Sequence, residues 1–87
     1  MPFFTYILQS QKSGKFYFGQ TDSLQRRIQE HNSGLTASTA NNRPWNIIFA
    51  KGFDTRAEAM ALERKFKAWK NKQRILDWIA RQAPDSP

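Results

Sequence analysis

At 87 residues, with no cysteine and one histidine, the chain has the size of one small domain and no room for a deeply buried second chamber. Disulfides, thiolate-zinc sites and cysteine nucleophiles are excluded, and a lone His31 leaves a zinc site short of ligands. Fourteen Lys and Arg against seven Asp and Glu give a net charge of +7. The excess favours a polyanionic partner, with nucleic acid ahead of a membrane surface because no basic helix carries a continuous lipid-facing apolar stripe.

Aromatic residues make up 14% of the chain, including three Trp and seven Phe, enough apolar area for a small core without staples. No apolar run approaches the ~20 residues of a membrane span. Met1-Pro2-Phe3-Phe4 is too short and uncharged for a signal peptide, so a cytoplasmic protein with no membrane partner is expected.

Phe4, Tyr6 and Leu8 alternate with Phe3, Thr5 and Ile7, so both faces of a first strand carry bulky groups and both should be covered. Gln11 to Gly14 reads as a turn and Lys15 to Gln20 as a second strand, an antiparallel hairpin. Asp22 or Thr21 is expected to cap a helix from Ser23 to Asn32, ended by Gly34, with Leu24 and Ile28 facing the core and Arg27 and His31 on the adjoining face. Leu35 to Asn42 is polar and aperiodic, the pattern of a mobile loop with little to bury.

Pro44 to Lys51 is a third strand, its proline tolerable at the first position. Thr55 and Glu58 then match a capping box that opens a long helix with the apolar stripe Ala59, Leu62, Phe66 and Trp69. Glu63 sits one residue off that stripe. A break near Asn71 starts a last helix, in which Ile75, Leu76, Trp78 and Ile79 are expected to pack back on the domain. Trp45 and Trp78 are assigned to the core. The order β-β-α-β-α-α predicts an α+β fold, a three-stranded antiparallel sheet flanked by helices, as a single domain over 1–83 with a frayed tail at 84–87.

Breaking a phosphodiester requires an activated water, neutralisation of charge on the phosphoryl oxygens and help for the departing 3′ oxygen. Glu63 is a carboxylate suited to hold Mg²⁺ (or Mn²⁺), an ion that keeps several waters and uses one or two protein carboxylates. Arg27, planar and permanently charged, can hydrogen-bond two phosphate oxygens. Tyr17 is a candidate to position or deprotonate the water, although a phenol ionises near pH ~10 and a tyrosine base needs neighbouring cations. Tyr6 and His31 are candidates to bind phosphate or shuttle a proton. Lys15, Arg26, Lys67, Lys70 and Asn71 are candidates to contact a nucleic acid, most naturally DNA.

Thr5-Tyr6-Ile7, Tyr17-Phe18-Gly19, Arg27 and His31 on one helix, and Glu63 in Ala61-Leu62-Glu63-Arg64-Lys65 together resemble the GIY-YIG nuclease superfamily. The resemblance covers about Phe3 to Asn71. It implies a single-metal endonuclease in which Tyr6, Tyr17 and Gly19 match the two strand motifs, Arg27 the helix arginine, His31 a position that is His or Tyr, and Glu63 the metal ligand. His31-Asn32-Ser33-Gly34 and Arg43-Pro44-Trp45 are most similar to short stand-alone bacterial members. Three positions depart from the pattern: Thr5, Phe18, and Gln20, which stands where some members carry a lysine. Asn71 is nearest to a phosphate-binding asparagine of some members and is equally well placed as a helix cap.

Each part also has a plainer explanation. Strand tyrosines pair across strands, Glu63 has Lys67 at i+4, and the run Arg64 to Arg74 suits a solvated helix face. The rival functions are a nucleic-acid-binding module with this fold and little or no catalysis, and an adaptor whose helices dock a protein. Since the chain shows no extra targeting domain, a protein partner is one source of target selectivity.

Overall fold

The computed structural model describes residues 2–82. The tail expected at 84–87 lies outside them. Strand β1 (Phe3–Ser10) is central in a three-stranded sheet, with β2 (Phe16–Thr21) on one side and β3 (Trp45–Phe53) on the other, both antiparallel to it. Helix α1 (Leu24–Ser33) follows β2, and α3 (Arg56–Trp69) and α4 (Lys72–Gln82) follow β3. Between α1 and β3 lies one further turn, α2 (Ala37–Ala40).

The alternation read in β1 is used in full. Tyr6 and Leu8 point to one face and pack with Trp45, Tyr17, Leu24 and Ile28 under α1. Ile7 points to the other and packs with Phe66 and Ile75 of α3 and α4. A chain too short for one thick core thus builds two thin ones sharing a sheet. The second is aromatic: Phe66 has Phe18 stacked at 5.8 Å and Phe49, Trp69 and Trp78 edge-on at 5.7, 5.8 and 5.3 Å.

One contact fixes α3 against the sheet. The Thr5 hydroxyl donates to the Ala59 carbonyl at 2.6 Å, and Ala59 is fully buried. The small side chain lets helix and strand approach closely. Glu63, one turn on from Ala59, is thereby held near β1 and β2 with its side chain only 19% exposed.

Four local expectations need correction. The cap of α1 is Ser23, whose side chain accepts from the Arg26 N–H; Asp22 instead pairs with the Arg26 guanidinium at 2.8 Å, and Thr21 bonds Ser23. The third strand begins at Trp45 and continues to Phe53. Leu76 is 41% exposed, because the buried stripe of α4 is carried by Ile75, Trp78 and Ile79 alone. The segment Leu35 to Asn42 contains α2, and its Thr39 is fully buried.

Candidate active site

The site begins with a glycine. Tyr6 of β1 and Gly19 of β2 are direct cross-strand partners. A Cβ on Gly19 would lie 2.6 Å from Tyr6 Cζ, so the phenol ring occupies the space a side chain would need. Tyr17, two residues back on the same face of β2, lies next to it, its ring edge-on to His31 at 4.8 Å and to Trp45 at 6.2 Å.

Helix α1 then lays Arg27 and His31 over this face, one turn apart. Arg27 Nε donates to the Tyr6 oxygen at 3.4 Å, and its Nη1 is held by Glu30 Oε1 at 2.9 Å. Both hydrogen bonds hold the guanidinium firmly in its charged form. Its side chain remains 32% exposed, leaving part of the fork open to an anion.

His31 is fully buried. Its Nδ1 lies 2.8 Å from Thr39 Oγ1 and its Nε2 lies 3.0 Å from the Tyr6 oxygen. Thr39 Oγ1 donates to the Thr36 carbonyl at 3.2 Å, so its remaining capacity toward the ring is as acceptor. The network therefore assigns the proton of neutral His31 to Nδ1 and makes Nε2 the acceptor for the Tyr6 hydroxyl. Burial, then the Arg27 charge, pushes the His31 pKa down, against a smaller opposing pull from Glu30. Burial pushes the Tyr6 phenol up, opposed by Arg27, with Tyr17 and Glu63 adding to the rise. The Tyr6 phenol is thus the group that Arg27, Tyr17 and Glu63 each influence, from α1, β2 and α3.

The Glu63 carboxylate receives Lys67 Nζ at 2.7 Å. Among the described residues no group of three or more His, Cys, Asp or Glu converges as a preformed metal cage. One half-buried carboxylate fits a hydrated Mg²⁺ that takes its other ligands from water and a bound phosphate, with the Lys67 ammonium as its competitor. Of the remaining expected contacts, Arg26 is paired with Asp22, and Lys15 and Lys70 are exposed. Asn71 Oδ1 accepts from the Arg74 N–H, which is the capping role.

Three supporting residues escaped the sequence reading. Thr39 orients His31. Glu30 aims Arg27, a pair the i, i+3 spacing could have suggested. Asn32 clamps the end of α1 to β3, its Oδ1 accepting from the Trp45 N–H at 2.6 Å and its Nδ2 donating to the Trp45 carbonyl at 3.1 Å. Nothing local distinguishes Thr39 from its neighbours, since its burial depends on Trp45, whose indole donates to the Thr39 carbonyl at 2.8 Å.

Two strand tyrosines, a helix arginine and a buried histidine thus meet on one face of the sheet of a small α+β domain, with a part-buried carboxylate on α3. The GIY-YIG catalytic domain family matches residues 2–75, and the chain belongs to that family. It is similar to short UPF0213 proteins, with 39% identity over 72 residues to one from Bacillus pumilus, covering 82% of this chain and 72% of the relative. One from Enterococcus faecalis is 42% identical over 72 residues, covering 79% and 81%. The solution NMR structure of a UPF0213 protein from Bacillus halodurans superimposes with a TM-score of 0.59 at 27% identity, over 98% of this chain and 89% of that one. Among the described residues no helix is long and apolar enough to cross a membrane.

Proposed function

We propose that the protein is a divalent-metal-dependent endonuclease that hydrolyses DNA phosphodiester bonds, acting in the cytoplasm on branched or otherwise distorted DNA, in repair or processing. The observation that carries this reading is the Tyr6 oxygen held between Arg27 Nε at 3.4 Å and His31 Nε2 at 3.0 Å, with Tyr17 edge-on to His31 and a part-buried carboxylate, Glu63, on α3.

Arg27 is oriented by Glu30 and binds the phosphoryl oxygens with the open part of its fork, neutralising charge that grows as the bond breaks. Tyr6 directs its proton to His31 and accepts from Arg27, so the buried phenol orients the guanidinium. Tyr17, partly buried on the same face, positions the attacking water. Water then adds to phosphorus through its oxygen, the bond to the 3′ oxygen breaks, and the proton released by the water ends on solvent or on that oxygen. Glu63 would hold Mg²⁺ or Mn²⁺, which supplies Lewis acidity toward the phosphate and its leaving oxygen. Lys15, Arg26, Lys67, Lys70 and Asn71 are the proposed contacts to the strand. Target choice comes from substrate shape or from a protein partner.

One observation favours the rival, a binding module without catalysis: the Lys67 ammonium already sits on Glu63, the proposed metal ligand. Cleavage of labelled single-stranded, duplex, flap and branched DNA in Mg²⁺ or Mn²⁺ against EDTA separates the two. Metal-dependent cutting, lost in Glu63→Ala and in Arg27→Ala, is expected. Activity retained in both variants would remove the site assignment, and salt-sensitive binding without cutting would leave the binding module.

A further inference from the structure

A groove of about 300 Å³ opens where the turn joining β1 and β2 meets the elbow between α3 and α4. Its floor is apolar, formed by the half-buried Phe16 and Phe18 and the buried Ile75. Its rim is cationic and amide, with Lys15, Lys70, Lys72 and Asn71, and no Asp or Glu lines it. The two parts are joined by construction. Lys72 Nζ donates to the Gly14 carbonyl and lies 4.8 Å from the Phe16 ring centroid, so an ammonium is fixed beside the apolar floor. Lys70, at the elbow, adopts the left-handed backbone at φ 52, a conformation uncommon for a residue with a side chain.

The groove is also aligned with the candidate active site. Glu63 and Lys67 are one turn apart on α3, and Lys70 is the cap that ends the same helix. The stretch of α3 from Glu63 to its last residue, Trp69, spans about 9 Å along the axis, with the rim residue Lys70 next in the chain. Tyr17 points to the α1 face of β2 and Phe16 and Phe18 to the α3/α4 face, and β2 is an edge strand, so a polymer that passes over this edge reaches both the site and the groove.

We propose that this groove holds an unpaired nucleotide close to the scissile phosphate, its base against Phe16, Phe18 and Ile75 and its phosphate among Lys15, Lys70 and Lys72. An apolar floor with an acid-free cationic rim matches a planar base carrying an anion, and a base inside a duplex exposes neither face to such a floor. The inference rests on the nuclease reading and narrows its substrate to DNA with an unpaired strand next to the cut, such as a junction between single and double strands.

The test is binding of a fluorescein-labelled oligo-dT strand and of a duplex of equal length to the full chain in EDTA, so that binding is read without cleavage. Wild type is compared with Phe16→Leu and with the surface double variant Lys15→Gln/Lys70→Gln, each checked for an unchanged circular dichroism spectrum. The expected result is single-strand affinity about tenfold weaker in Phe16→Leu with duplex affinity changed less than about twofold. The lysine variant should lower the slope of log affinity against log salt for the single strand by about one unit. Equal losses for both ligands, or none in either variant, would overturn the groove. Groove-dependent binding without cutting of any substrate would sink the nuclease reading alone, whereas cutting with no groove dependence would sink the groove alone.

Discussion

The Tyr6 hydroxyl donates to His31 Nε2 at 3.0 Å, inside a protein layer where both side chains are essentially shielded from water. The tyrosine is thereby fixed in rotation about its C–O bond, with its oxygen turned to accept from Arg27. The histidine, in turn, owes its orientation to Thr39, eight residues downstream.

Thr39→Val should therefore act through His31. The substitution leaves the buried Nδ1–H without an acceptor, a loss of about 1–3 kcal/mol in stability. Cleavage should fall with it, while Thr39→Ser, which keeps the oxygen, should stay near wild type. Urea melts and single-turnover cleavage of the three proteins measure both effects; a Val variant as active as Ser would remove the orienting role.

Stability should depend on pH at both ends. His31 has its folded pKa below the ordinary value, so below pH ~6.5 the unfolded chain takes up the proton first. The contribution is whole above that pH and is lost as pH falls toward the depressed folded value. Tyr6 is the mirror case: its folded pKa is raised, so its contribution is whole below pH ~10 and lost as pH rises through that raised value. Urea midpoints from pH 5 to 11 should trace a plateau with two falling arms, and His31→Gln should flatten the acid one.

Gly19→Ala should damage the site more than the fold. The added methyl meets the Tyr6 ring, which must swing away from His31 and Arg27 to make room. Loss of cleavage with far-UV dichroism retained is expected, and an Ala variant with full activity would show that Tyr6 tolerates displacement.

Lys67→Ala should release Glu63 for a metal. A partly exposed pair contributes about 0.2–1 kcal/mol, so Mn²⁺ affinity by titration calorimetry should tighten by up to about fivefold. Weaker binding would mean that Lys67 helps to assemble the metal site.

The elements that carry the candidate groups were legible because their signals are local. Alternation placed Tyr6 and Tyr17, the i, i+4 spacing put Arg27 and His31 on one face, and the capping box at Thr55, whose hydroxyl does accept from the Glu58 N–H, opened α3. Thr39 was not legible, because a polar loop residue becomes buried only through partners distant in sequence. Leu76 shows a related limit: α4 packs through the narrow stripe of Ile75, Trp78 and Ile79, and periodicity alone does not give that width. The role of Glu30 was overlooked because a surface ion pair is ordinarily worth little until it aims a third group.

The sheet divides the molecule into two separately packed halves, and the candidate catalytic groups are distributed across that division. Arg27 and His31 belong to the half under α1, Glu63 to the half built around Phe66. Their relative placement is therefore a measure of how the halves are registered, and the Thr5 bond to Ala59 acts as the index pin. Loosening that pin, or any aromatic neighbour of Phe66, would slide one half over the other and silence the proposed cleavage while every candidate residue remained in the chain and the protein still melted as a folded one.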